Sequence, residues 1–154
     1  MSCEIVTGDI TTIAADAIVN AANTDLAPGG GVCGAIFAAA GAEQLEQALA
    51  GLGPIATGEA VATPAFGLNA TIIIHAAGPI YCNHTPAEAE RLLADAYRNS
   101  IELAAEKGCS SIAFPLISSG IYGYPKDEAL KVAQRSITQA LADRDMRVML
   151  VLYG

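Results

Sequence analysis

Apolar residues in this chain fall into short unbroken runs, separated by longer stretches in which they return every third or fourth position. That pattern predicts strands alternating with helices. The strand-like runs are residues 4–7, 17–20, 58–63, 71–75, 111–116 and 147–153. Ala17-Ile18-Val19 and Ile72-Ile73-Ile74 are apolar on both faces, which places their strands centrally in a sheet covered on both sides. Between the runs, helical periodicity covers 35–40 and 43–52 with a break at Gly41, and Leu45, Leu49 and Leu52 are expected to face the core. Thr85-Pro86-Ala87-Glu88 has the form of a capping box with proline at the first helical position. The helix it opens carries Leu93, Tyr97, Ile101 and Ala104 on one face and stops at Lys107-Gly108. A last helix begins at Pro125, with Asp127 and Glu128 in its first turn and Ala129, Ala133, Ile137 and Ala140 inward. Strands alternating with helices imply an α/β layered domain with a largely parallel sheet.

Composition narrows the class. One domain is expected over residues 1–154, and 53% hydrophobic against 16% charged residues describes a globular chain. No run reaches the roughly 18 apolar residues of a membrane span. The first residues carry Glu4 and Asp9 and no basic segment, so no secretory leader is expected. Cys3, Cys33, Cys82 and Cys109 are scattered, and His75 and His84 show no ligand spacing, so reduced thiols, no metal, no cofactor and a cytoplasmic setting are expected. The net charge of −8 is unevenly spread: every Lys and Arg lies at Arg91 or later, and the first 90 residues hold nine acids. No basic stripe exists for binding a nucleic-acid duplex.

Three of the strands run into loops rich in Gly, Asn, Ser and aromatic residues. The first loop, from Asn20 to Gly34, holds Asn20, Asn23 and the triplet Gly29-Gly30-Gly31 ahead of a helix. Glycines let backbone N–H groups converge on one point, and a helix N-terminus adds partial positive charge, so the expected guest is an anion. With no cation nearby in sequence, backbone dipoles must hold it. Gly29 to Gly34 formally satisfies G-x-G-x-x-G, but the glycines lie too far beyond the strand for a dinucleotide fingerprint. Residues 78–83 form the second loop, and Ile117 to Tyr124 the third. Carboxyl-end loops of such sheets gather into one ligand crevice. Asn20 and Asn23 are turn formers or carboxamides for sugar hydroxyls. Asp9 serves as a cap or as an acceptor for an exocyclic amine, and His75 reads as a satisfied core residue. Ser118 and Ser119 lack a nucleophile elbow and are expected to donate hydrogen bonds. Cys33 is conceivable as a nucleophile at a helix N-terminus, but packing is the favoured reading.

At these loops the sequence resembles a macrodomain, the ADP-ribose-binding α/β/α fold, and especially its stand-alone MacroD-type members. The resemblance is carried by Gly8-Asp9-Ile10-Thr11, Ile18-Val19-Asn20-Ala21-Ala22-Asn23, Gly29-Gly30-Gly31-Val32, Gly34-Ala35-Ile36 with Ala40-Gly41, His75-Ala76-Ala77-Gly78-Pro79 and the stretch from Phe114 to Pro125. It implies a three-layer α/β/α domain around a mixed, largely parallel sheet. Asp9 would accept from the adenine amino group beside an Ile10 backbone contact, and Tyr153 would flank adenine. Ser118, Ser119, Gly120, Ile121 and Tyr122, with Gly30, Gly31 and Val32, would cradle the diphosphate; Asn20, Asn23 and Cys33 would line the distal-ribose end. Asn23, Gly31 and Tyr122 are the implied catalytic residues. MacroD-type hydrolases carry aspartate where this chain has Cys33, and commonly histidine where it has Phe37. A general base is worth about 10²–10⁴-fold, so its absence is expected to slow turnover and spare binding. Some macrodomains hydrolyse without it, using ligand phosphate and the Asn23-type amide to position water. The family usually adds a helix after the adenine-side strand, whereas this sequence stops at Gly154. The function expected is hydrolysis of ADP-ribose esters, on ADP-ribosylated protein or O-acetyl-ADP-ribose. The alternatives are a non-catalytic ADP-ribose reader and, more distantly, a cysteine hydrolase.

Overall fold

The computed structural model describes residues 2–153; Met1 and Gly154, the two ends of the expected domain, lie outside them. Six strands form one sheet: β1 (Ser2–Thr7), β2 (Ala17–Ala22), β3 (Ala60–Pro64), β4 (Ile72–Ala77), β5 (Ser111–Pro115) and β6 (Arg147–Leu152). Their order is β1-β6-β5-β2-β4-β3, and every pairing is parallel except the antiparallel one between β3 and β4. The sheet is thus mixed and largely parallel, with β2, β4, β5 and β6 internal.

Period-two alternation distributes each central strand between two cores. Ala17 and Val19 of β2 join one apolar cluster, and Ile18 joins the other. The first cluster packs under α3 (Pro86–Glu106) and α4 (Lys126–Ala140), the second under α1 (Gly31–Ala40) and α2 (Ala42–Leu49). Helices on both faces complete the three layers.

Local chemistry explains the boundaries. Thr85 Oγ1 accepts from the Glu88 N–H at 3.2 Å with Pro86 in the first turn, as the capping pattern predicts. Glu88 itself reaches His84 Nδ1 at 2.6 Å. Leu93, Tyr97, Ile101 and Ala104 are wholly buried along α3. Gly41, at φ 113°, separates α1 from α2 where the periodicity broke. Two expectations need correction. Leu52, expected in the core with Leu45 and Leu49, is 42% exposed because α2 ends at Leu49 and the helical spacing no longer applies. The first helix begins at Gly31 rather than Ala35, so the third glycine of the triplet is already helical, entered at φ 56°.

Candidate functional site

All the loops singled out in the sequence leave the carboxyl ends of parallel strands, and the strand order sets them side by side. At one end, Asp9 follows β1 and Tyr153 follows β6; the strands pair Thr7 with Leu152, and the Gly8 N–H donates to the Leu152 carbonyl at 2.9 Å. Asp9 caps the short turn Ile10–Thr12 by accepting from the Thr11 hydroxyl at 2.7 Å and the Thr11 N–H at 2.9 Å. Those two donors hold its carboxyl below the usual carboxylate range. Ile10 is buried beneath it, and Tyr153 stands 85% exposed.

Next in the sheet comes the loop after β5. Its start is fixed by Tyr97 of α3, whose buried hydroxyl donates to the Pro115 carbonyl at 3.2 Å and accepts from the Ile117 N–H at 3.0 Å. Burial pushes that phenol's pKa up, so it stays protonated. Ser118 sits at φ 67°, a left-handed conformation that costs a non-glycine residue about 1–3 kcal/mol unless its surroundings impose it. Here they do. Ser118 Oγ donates to the Pro79 carbonyl at 2.8 Å, and its own carbonyl accepts from the Tyr124 N–H at 2.9 Å. A Cβ on Gly78 would collide with Ser118 Oγ and Ile117 Cγ2, so only glycine allows the loop after β4 to seat this one. Ser119 Oγ donates back to the Leu116 carbonyl at 2.9 Å, and the Gly123 N–H closes the turn onto the Gly120 carbonyl at 3.0 Å. The Tyr81 N–H donates to the Tyr122 carbonyl at 2.9 Å, tying down the far side of the loop.

The glycine loop after β2 meets it. A Cβ on Gly30 would lie 3.6 Å from Ile121 Cδ1, and Ile121 is otherwise 86% exposed. Nothing stands within 4 Å of where a Cβ would project from Gly31 or Gly120, so a side chain at either position would meet open space. Val32 packs at the border of the α1 core cluster. The N-terminus of α1 and the β5 loop thus meet at Gly30 and Ile121, with Cys33 and the Asn23 amide packed against Gly29.

A hydrogen-bond chain runs from there into the sheet. Asn23 Nδ2 donates to the Ala27 carbonyl at 2.9 Å and Asn23 Oδ1 accepts from the Ala27 N–H at 3.0 Å, closing the loop on itself. One N–H and one lone pair of this amide remain for a ligand. Cys33 Sγ lies 3.9 Å from the same Ala27 carbonyl and 3.7 Å from Asn20 Nδ2. Asn20 is only 1% exposed, and its Nδ2 also lies 3.1 Å from His75 Nδ1, which must therefore accept. His75 Nε2–H then donates to Thr63 Oγ1 at 3.0 Å, whose hydroxyl donates to the Pro64 carbonyl at 3.1 Å. His75 is the satisfied core histidine expected, fully buried and with its pKa lowered by burial to about 4. The N–H groups of Asn20 serve His75 and Cys33, and its buried Oδ1 has no partner among the described residues. Burial pushes the Cys33 thiol up, against the opposite pull of the Asn20 amide and the Gly29 backbone. Cys33 is thus a neutral thiol 7% exposed, as the packing reading expects. Tyr122 is half-buried, and its phenol is raised by burial first and by its neighbours Cys33 and Asp25 next.

Sequence reasoning missed Tyr97 as the clamp of the β5 loop and Thr63 as the partner of His75. A tyrosine at a core-facing helical position was the available signal, since a buried phenol needs a hydrogen-bond partner. The described residues contain no group of three or more His, Cys, Asp or Glu arranged to hold a metal ion. Among them no helix is long and apolar enough to cross a membrane.

Comparison with known proteins agrees with this geometry. Residues 19–133 match the family model described as Macro domain. A Macro domain-containing protein of Chlorobaculum tepidum is 53% identical over 135 residues, covering 88% of this chain and 77% of that protein. A Klebsiella pneumoniae protein named O-acetyl-ADP-ribose deacetylase is 50% identical over 141 residues, covering 90% of this chain and 80% of that one. Among solved structures, the Oceanobacillus iheyensis macrodomain with ADP superposes with a TM-score of 0.90 at 45% identity, covering 97% of this chain and 82% of the other.

Proposed function

This chain belongs to the Macro domain family, and from that premise we propose that it binds ADP-ribose along the crevice and hydrolyses esters at the distal ribose. The observation that carries the reading is that the glycine loop and the β5 loop meet, Gly30 against Ile121, beside the backbone amides of the α1 N-terminus, with no Lys or Arg in the first 90 residues. A diphosphate is the part of ADP-ribose that such amides fit. Strand order supports the polarity of the ligand. Asp9, Ile10 and Tyr153 take adenine at the β1–β6 end, the β5 and glycine loops take the diphosphate, and Asn23 with Tyr122 takes the distal ribose.

In the hydrolytic step, a water held between a ligand phosphate oxygen and the free positions of the Asn23 amide attacks the ester carbonyl. The C–O bond to the ribose breaks, the ribose hydroxyl recovers a proton, and a carboxylic acid leaves. Gly31 and the β5 loop hold the phosphate that positions the water, and Tyr122 packs on the ribose. The neutral, buried Cys33 thiol lines this end and does not attack. The substrates are O-acetyl-ADP-ribose, the class named for the Klebsiella relative, and mono-ADP-ribosylated carboxylates on proteins.

One observation favours a second reading, that of a reader without turnover: position 33 carries a thiol and no carboxylate. Incubation with O-acetyl-ADP-ribose separates the two. Acetate release well above the uncatalysed rate is expected, and a Cys33→Ala variant should retain it within about threefold, whereas loss of a nucleophile would remove at least about 10²-fold. Binding without release would leave the reader.

A further inference from the structure

Outside the crevice, the loop that carries Asn23 has a second face. Its inner face is held by Asn23 and Cys33 as described. On the outer face, the Thr24 carbonyl accepts from the Ile55 N–H at 2.9 Å, and a Cβ on Gly53 would lie 3.1 Å from Leu26 Cδ1. Between this face, the end of α2 and the turn that follows it lies a hollow of about 380 Å³. Its lining is mixed, with Leu26, Pro28, Leu49 and Pro54 beside polar backbone, and its two charged lining residues are Asp25 and Glu46. Both carboxylates are exposed, and neither side chain has an ion pair or hydrogen bond among the described residues. No Lys or Arg occurs in the first 90 residues to answer them from within this half of the sequence.

We propose that this hollow is a substrate subsite that takes an arginine or lysine side chain flanking the modified residue of an ADP-ribosylated protein. The proposal rests on the ADP-ribose reading above and adds the acceptor side of the substrate. Prolines beside two unpaired carboxylates suit a side chain that lays its methylenes on apolar surface and keeps a cation in water. The position suits it too. Ala27 lines the hollow and bonds the Asn23 amide through both its backbone groups, and Asp25 is close enough to Tyr122 to act on its phenol. A residue two or three places from the ribose-linked one reaches about 7–10 Å along an extended chain. Free ADP-ribose and O-acetyl-ADP-ribose have nothing that extends there.

The test uses glutamate-sized, hydrolysis-resistant ADP-ribosyl peptides in two versions, with arginine or with glutamate near the modified position, titrated by calorimetry beside free ADP-ribose. The arginine version should bind about three- to tenfold more tightly than the glutamate version, as expected for two exposed ion pairs, and high salt should erase the difference. Glu46→Lys should remove or invert the preference and leave free ADP-ribose affinity unchanged. Equal affinity for the two peptides at low salt, or a preference that survives Glu46→Lys together with Asp25→Asn, overturns the subsite. Failure of free ADP-ribose to bind would instead overturn the function on which it rests.

Discussion

His75 shows how far a single side chain commits the site. It is fully buried, accepts from Asn20 through Nδ1 and donates to Thr63 through Nε2, and the first of these bonds requires a ring unprotonated at Nδ1. Burial lowers its pKa from 6.5 to about 4. The unfolded chain therefore takes up a proton below about pH 6.5 that the folded chain refuses, so stability falls as pH falls through that window. At a shift of this size the loss approaches roughly 3 kcal/mol by the time the folded-state value is reached. The carboxylates Asp9 and Asp16, both held below their usual range, add acid sensitivity only lower down. Denaturant midpoints measured across this range should drop progressively in the parent and markedly less in His75→Gln; matching slopes would refute the assignment. The histidine's bland character was legible from its apolar neighbours in sequence. Its partners were not, because Asn20 lies on the neighbouring strand and Thr63 on the antiparallel edge, and register is a property of the assembled sheet.

At the level of elements, α3 does more than cover the sheet. Its Tyr97 hydroxyl bridges the Pro115 carbonyl and the Ile117 N–H, the point at which β5 becomes the phosphate-side loop. Tyr97→Phe takes the phenol away from both buried backbone groups at almost constant volume, which should cost about 1–3 kcal/mol of stability. ADP-ribose affinity should weaken as well, since the loop loses its anchor, whereas a surface substitution such as Glu102→Gln should change neither. Thermal melts and calorimetry on the two variants check this. The helices and strands themselves were readable because apolar spacing, the Thr85 cap and the break at Gly41 are local signals. Leu52 and the helix start at Gly31 were misplaced for physical reasons: periodicity does not mark where a helix stops, and a glycine entered at φ 56° gives no local signal that a helix starts on it.

Across the whole molecule, the order of strands sets the motif-bearing loops beside one another: β1 and β6 bring Asp9 to Tyr153, and β5 beside β2 brings Ser118–Tyr122 to the glycines. Motif resemblance implied the fold that sets them there. Composition alone anticipated only that an anion would be held without cations. That arrangement has a measurable consequence for a chain of net charge −8. Backbone amides release no counterions, so ADP-ribose affinity should stay flat or improve slightly between about 0.05 M and about 0.5 M salt as general repulsion is screened. A steep loss with salt would point to a basic site elsewhere. The central claim is tested most directly by titrating the protein with ADP-ribose in a calorimeter, beside the Asp9→Ala variant. The parent should give a saturable heat with one ligand per chain, and the variant should bind about tenfold or more weakly, as loss of a hydrogen bond to a charged acceptor predicts. No binding by the parent chain, or equal affinity in the variant, would contradict the account.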